Sequence, residues 1–172
     1  MPNSDKSNAR SQIVEEHVGL ENRHDLAGVM ATFGASARYD DEPNGEHHIG
    51  TGEVYRYYAG LFSAMPDLNI DVRERHICED AIILEVIISG HHFGPWRGLP
   101  ATGRKLAFPL CGIFTFDDSN RLKGERIYYD RATVLRQLGV FHEPERLAGR
   151  INVALMHPLT MAKVVRRMMF KR

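Results

Sequence analysis

Cysteine is nearly missing from this chain, which has two, Cys78 and Cys111, in 172 residues. Both stand in strand-like surroundings with no paired spacing. That excludes a disulfide framework and a cysteine-based metal site, and predicts two reduced core thiols in a cytoplasmic protein. Long apolar runs are absent as well. No stretch of about 18 apolar residues occurs, and residues 1–10 are polar rather than charged and then apolar, so neither a membrane span nor a signal peptide is expected. There is no glycine-rich phosphate cradle and no nucleophile elbow, which removes support for a nucleotide or acyl-enzyme mechanism. His47 and His48 are adjacent and would point opposite ways on extended chain, with no Cys or Asp at ligand spacing. No metal and no cofactor is therefore expected.

Acidic residues are missing from the last part of the chain. All 22 Asp and Glu lie at or before Glu145 together with fifteen of the 22 Lys and Arg, so residues 1–145 carry −7 and residues 146–172 carry +7. An acidic body argues against nucleic-acid binding through the main fold. With 43% hydrophobic residues and no Ser/Pro/Gly-rich linker, the chain predicts one domain with a full core.

Along the chain, residues 1–10 lack apolar periodicity and are expected to be a loose tail. Ser11 can cap a helix carrying Ile13, Val14, Val18 and Leu20 on one side, with His17 on or near that face as a core histidine satisfied by a neighbour. Residues 25–33 predict a second helix. Residues 37–52 predict a short strand and a polar loop, in which Tyr39 or Asp40 could reach a pocket. Helical spacing returns from Thr51 to Met65 and ends at Pro66. Strands are predicted over 68–76, 81–93, 105–117 and 124–130. Helices first and antiparallel strands after them form the pattern of an α+β domain. The strand at 81–93 is apolar on both faces, so both are expected to be covered, which predicts a homodimer.

The last strand sets out a choice. Its side chains alternate, placing Arg126, Tyr128 and Asp130 on one face and Glu125, Ile127 and Tyr129 on the other. If the first face is solvent, Asp130 is an ordinary surface carboxylate. If it lines a pocket, an arginine, a phenol and a carboxylate converge as a proton-handling group. Trp96, Arg97 and Leu99 sit in a Gly/Pro loop and could form a lip over a pocket mouth. Phe108, Leu110, Phe114 and Phe116 share a face as core or as pocket lining.

The segment YYDRATVLRQLGV at 128–140 resembles the closing motif of the SnoaL-like polyketide cyclases, or ester cyclases, of the nuclear transport factor 2-like superfamily. GHHFGPWRGLPATGRKLAF at 90–108 is similar to that family's Gly-x-His strand end and its Gly-x-Pro-x-Thr-Gly-Arg loop, and ENRHDLAGVMATF and AMPDLNIDV also fit. The resemblance implies a strongly curved sheet wrapped around helices into a cone with an apolar pocket, formed by residues 11–141 and usually paired as a dimer. It carries the catalytic roles onto Asp130 and His92, although His91 stands where the family often has a small hydroxyl residue. Tyr128, Arg126, Tyr39, Trp96, Phe108 and Phe114 become the expected substrate-binding residues. The implied chemistry is cofactor-free acid/base catalysis on an apolar, oxygenated small molecule, as an aldol-type cyclisation or isomerisation. The alternatives are a non-catalytic binding module for a ligand or partner, or an epoxide hydrolase or dehydratase using the same aspartate. Residues 142–172 predict a basic amphipathic helical extension, interrupted at Pro158. It is expected to pack on its own body or its dimer partner rather than on an anionic membrane.

Overall fold

The computed structural model describes residues 4–170. Three helices come first and are interleaved with two short strands: α1 (Ser4–Asn22), α2 (Leu26–Thr32), β1 (Arg38–Asp41), β2 (Glu46–Ile49) and α3 (Thr51–Ala64). Four strands follow, β3 (Asn69–Ile77), β4 (Ala81–His91), β5 (Lys105–Phe116) and β6 (Leu122–Tyr129), and then α4 (Arg131–Gln137), α5 (Leu147–Met156) and α6 (Pro158–Met169). The six strands form one curved, open sheet in the order β2-β1-β6-β5-β4-β3. Every neighbouring pair is antiparallel except β1 with β6. This is the α+β architecture that the order of helices and strands predicts. No helix among the described residues is long and apolar enough to cross a membrane.

Register decides which side chains meet inside. Leu84 lies opposite Gly112, Val86 opposite Leu110 and Ile88 opposite Phe108. Gly112 in turn opposes Ile127, and Phe114 opposes Glu125. With a side-chain period of two, these residues share the concave face, and Ile82, Leu84, Val86, Leu106, Phe108, Phe114 and Ile127 are buried there. The helices close that face with Val14, Val18, Val29, Val54, Tyr57 and Tyr58. Burying each such side chain contributes about 1.5–3 kcal/mol, which makes this shared face the main source of stability.

Three expectations change. Residues 4–10 are helical rather than loose, because Arg10 anchors the start of α1: its Nε donates to Asn120 Oδ1 at 3.1 Å, its Nη1 donates to the Glu79 carbonyl at 3.0 Å, and its guanidinium lies over Phe116. The polar loop expected after β1 contains a second strand, since Gly45, at φ 64°, reverses the chain and pairs β2 with β1. Cys78 is exposed in the tight connection between β3 and β4 rather than in the core, and Cys111 is half-buried.

The segment after β4 is tied down at both ends. Phe93 and Gly94 donate their backbone N–H to the Ala64 carbonyl at the end of α3, each at 3.0 Å. A Cβ on Gly94 would sit 2.3 Å from the Ser63 carbonyl oxygen, a backbone atom that cannot move aside. Gly94→Ala should therefore lower stability by roughly 1–3 kcal/mol through displacement of this segment from α3. Urea unfolding with an unchanged m-value checks it, and a variant as stable as the parent would show that the close approach is not required.

Candidate active site

A cavity of about 100 Å³ opens between the concave sheet face and the helices. Its wall is largely apolar, with Val18, Leu84, Val86, Phe108, Phe114 and Ile127 among the lining residues, and three carboxyl groups and one imidazole reach it: Glu21, Asp41, Glu125 and His92. Three of the expected substrate-binding residues that line it are Tyr39, Trp96 and Phe108, and Phe114 is the fourth.

Asp130, Arg126 and Tyr128 are not among its lining residues, and the register explains why. Arg126 opposes Ile113 and Tyr128 opposes Cys111, both on the outer face of β5. Glu125, Ile127 and Tyr129 take the inner positions. Asp130 ends the same outward series and caps α4, accepting from the Ala132 N–H at 2.9 Å and from the Thr133 hydroxyl. Those hydrogen bonds, the one from Thr133 foremost, hold its carboxyl below the ordinary carboxylate range. Its side chain is 60% exposed, away from the cavity that His92 lines. The face of the last strand that lines the cavity is therefore the one carrying Glu125.

His92 is buried and lines the cavity. Its backbone N–H donates to the Arg104 carbonyl and its carbonyl accepts from Gly103, both at 2.9 Å, so the β4–β5 ladder runs on to this residue. Alternation then sends His92 inward and His91 outward, where His91 meets Asp67 at 2.6 Å and stacks on Phe93. The Thr102 backbone N–H, which can only donate, points at His92 Nδ1 from 3.3 Å, and the Thr102 hydroxyl lies 3.1 Å from the same atom. Nδ1 is thus the acceptor, and the proton of the neutral ring sits on Nε2. Burial holds the His92 pKa below its ordinary value, which favours this neutral form. Nε2 is buried with no hydrogen-bond partner, so the ring has an unused N–H.

Deeper in the molecule, α1, α3 and β6 bring four polar groups together. His17 Nδ1 lies 2.7 Å from the Thr32 hydroxyl, which spends its own proton on the Val29 carbonyl. His17 Nε2 lies 3.1 Å from the Tyr58 hydroxyl, which donates to Glu125 Oε2 at 2.7 Å. Both ring nitrogens therefore face acceptors, and both must carry a proton. Glu125 Oε2 is 3.4 Å and Glu21 Oε1 is 3.8 Å from His17 Nε2. Burial opposes charge on His17, but the two carboxyl groups override it and raise its pKa above the ordinary value. Burial pushes the Glu21 carboxyl up to about 8, with His17 pulling against it and Glu125 adding to it. At neutral pH Glu21 keeps its proton.

At the mouth, Asp41 is the accepting centre. Arg97 Nη2 donates to it at 2.6 Å and Asn44 at 2.9 Å, with the Tyr129 and Tyr57 hydroxyls at 3.4 and 3.5 Å. Arg97 also reaches Glu46. Arg97 and Gly98 have φ of 50° and 78°, and Trp96 and Leu99 exchange two backbone hydrogen bonds across them at 2.9 Å. This is a type I′ turn, and the paired guanidinium holds the non-glycine residue in its left-handed conformation. The turn lays Trp96 over Gly60 and edge-on to Tyr57, 5.7 Å between ring centroids. Holding these donors together, Asp41 fastens the lip. Asp40, on the outer face, pairs instead with Arg38 and His47.

Two groups among the described residues have ligand atoms close enough for a metal ion, His17 with Glu21 and Glu125, and Asp40 with Glu42 and His47. The first fits poorly as it stands, because both His17 nitrogens donate hydrogen bonds and neither offers a lone pair. In the second Asp40 is buried while Glu42 and His47 reach the surface, and the three are already tied to arginines or to one another.

Sequence reasoning missed Glu21, Asp41, Tyr58 and Glu125. Signals pointed to two of them: Glu125 shares its strand face with Ile127 and Tyr129, and Glu21 follows His17 by one helical turn.

The sequence matches the model of the SnoaL-like polyketide cyclase family over residues 11–138. No curated protein matches the chain. A Shewanella denitrificans structure assigned to the SnoaL-like polyketide cyclases superposes with a TM-score of 0.68 at 15% identity, covering 76% of this chain and 96% of that one. A Catenulispora acidiphila protein with a ketosteroid isomerase-like fold, solved with trimethylamine, gives 0.62 at 18% identity over 74% and 92% of the two chains. The epoxide hydrolase/cyclase-like enzyme SalBIII, of pyran ring formation in salinomycin, gives 0.63 at 14% over 76% and 95%. At such identities the likeness speaks for the fold.

The protonation of Glu21 has a measurable sign. The unfolded chain releases this proton near pH 4.3 and the folded chain keeps it to about 8, so between those values the native state binds more protons and loses stability as pH rises. His17 acts in the same direction, since its contribution is complete below about 6.5 and is lost as pH rises through its higher folded value. Glu21→Gln, fixed in the neutral form, should match the parent near pH 4, gain on it as pH rises, and melt at least about 2 °C above it near pH 9. A difference in melting temperature that does not change with pH would contradict a protonated Glu21.

Proposed function

The chain belongs to the SnoaL-like polyketide cyclase family, small-molecule-processing proteins of nuclear transport factor 2-like fold, and on that premise we propose that it is an enzyme of acid/base chemistry. It acts on an apolar, oxygenated small molecule, by aldol-type cyclisation or isomerisation, without a cofactor. One observation carries this reading: a buried cluster of two carboxyl groups, an imidazole and a phenol stands at the edge of a largely apolar cavity. Burying such a group costs stability, and well-packed apolar residues of similar volume often do as well or better. Its presence favours use.

The roles follow from the protons already placed. Glu125, held by Tyr58 and His17, takes the acidic proton from a carbon flanked by carbonyls. The His92 Nε2–H, unused within the protein, donates to the enolate oxygen that develops. The enolate carbon attacks the acceptor carbonyl, and Glu21 supplies the proton that the new alkoxide takes. Glu125 has gained one proton and Glu21 has lost one, so the cluster returns to its starting state by a transfer between them. The apolar wall excludes water, which would otherwise quench the enolate.

At about 100 Å³ the cavity is smaller than the roughly 300–1,000 Å³ of sites that hold drug-sized ligands, so a polycyclic substrate enters only with the Trp96 turn displaced. A second reading is epoxide opening by water on the same carboxyl pair, favoured by the crowding of polar groups around one point and by the likeness to SalBIII. On the outer face of the sheet Ile83, Ile87 and Ile113 stay partly exposed, and we propose that a second copy pairs there.

Glu125→Gln keeps the shape and removes the base. Polycyclic β-keto esters selected by thermal shift are the probes, and deuterium uptake at the carbon between their carbonyls is followed by NMR. The parent should accelerate uptake and the variant should lose roughly 10²-fold or more of that acceleration while still binding the probe. Uptake at the parental rate in the variant would remove Glu125 from the mechanism.

A further inference from the structure

Helices α5 and α6 lie beyond the part of the chain that the family explains. The family match ends at residue 138, and solved relatives align with about three quarters of the chain. Each of the two helices has the other as its principal neighbour, with no body element packed closely on either. Their large apolar side chains stand in the open: Leu155 is 74% exposed, Leu159 78%, Met168 70% and Met169 64%. The packing expected on the chain's own body is not formed.

The order of residues on α6 is not that of a helix meant for water on all sides. At 100° per residue, Met161, Val164, Val165, Met168 and Met169 fall within an arc about 140° wide, and Lys163, Arg166 and Arg167 fall together on the opposite side, with Leu159 among them. Residues 146–172 carry seven cations and no acid. Of the two acids just before them, Glu143 and Glu145, the first is already paired with Arg136.

We propose that α5 and α6 bind the surface of an anionic phospholipid bilayer. The apolar arc enters the boundary between headgroups and acyl chains, and the lysines and arginines meet the lipid phosphates. This occupant satisfies both halves of the helix at once. A nucleic acid would use the cations and leave the methionines and valines in water. A second copy of this chain would have to offer an apolar groove ringed by acids, and the family domain matched by its relatives shows no counterpart of these helices for such a groove to receive. The body, at −7, is repelled by the same anionic surface, which orients it outward with the helices as the only attachment. This assignment stands apart from the chemistry of the cavity.

The full chain is centrifuged with sucrose-loaded vesicles of phosphatidylcholine alone, or with about one quarter phosphatidylserine, at about 0.1 M salt. The parent should sediment with the anionic vesicles and bind neutral ones at least about tenfold less, and raising the salt to about 1 M should release much of it. Val165→Asp with Met168→Asp should abolish sedimentation, and Arg166→Glu with Arg167→Glu should weaken it at least about tenfold, with unchanged circular dichroism of the body in both. Absence of anionic-vesicle binding by the parent overturns the proposal. So does undiminished binding by the Val165→Asp/Met168→Asp chain. Light scattering that shows this variant losing a dimer, with no vesicle binding by the parent, would assign the surface to a second copy instead.

Discussion

The contact between His17 and Glu125, bridged by the Tyr58 hydroxyl, is the constraint on which the rest of the structure turns. It ties α1 to β6 through α3, three elements far apart in sequence, in the buried interior. Removing one partner would leave a buried group without compensation, at a cost of about 3–5 kcal/mol. The other features follow from it. Thr32 is held at the end of α2 because His17 needs an acceptor for its second proton. Glu21, one turn along α1, cannot ionise beside Glu125 and keeps its proton at neutral pH. The sheet must curve so that the face carrying Glu125 looks back at the helices.

What the sequence disclosed, and what it hid, follows from this arrangement. The strands β3 to β6 were legible because β-branched and aromatic residues repeat with period two, and α3 because its apolar residues repeat with helical spacing. The α+β class and the family resemblance followed from them. The start of α1 was hidden, because its inward positions Arg10, Val14, His17, Val18 and Glu21 are mostly ionisable and an apolar stripe does not mark them. Its anchor, Arg10, depends on Asn120 and Glu79, which only the fold brings near.

The site was legible in part for the same reason. Alternation divided β6 into two faces but could not say which one was inside, and the closing motif drew attention to Asp130, which the structure places at the end of the outward series. Pairing with β5 settles it, since Gly112 opposite Ile127 lies on the concave side. His92 was legible from its strand-end motif, yet its tautomer depends on the Thr102 N–H, a backbone group that no residue pattern announces. Asp41 was passed over beside Asp40, although one faces the mouth and the other the outer surface. A run of adjacent acids on a strand always divides in this way.

The central claim is that the cavity holds a carboxylic acid poised near neutrality beside a carboxylate and an imidazolium. The most direct measurement is a titration of the chain labelled with ¹³C at glutamate side-chain carboxyl carbons, with Glu21→Gln to assign the resonance. The account predicts a carbon that titrates near 8 in the parent and is missing from the variant. A Glu21 resonance that titrates at an ordinary carboxyl value of about 4.3 would contradict it.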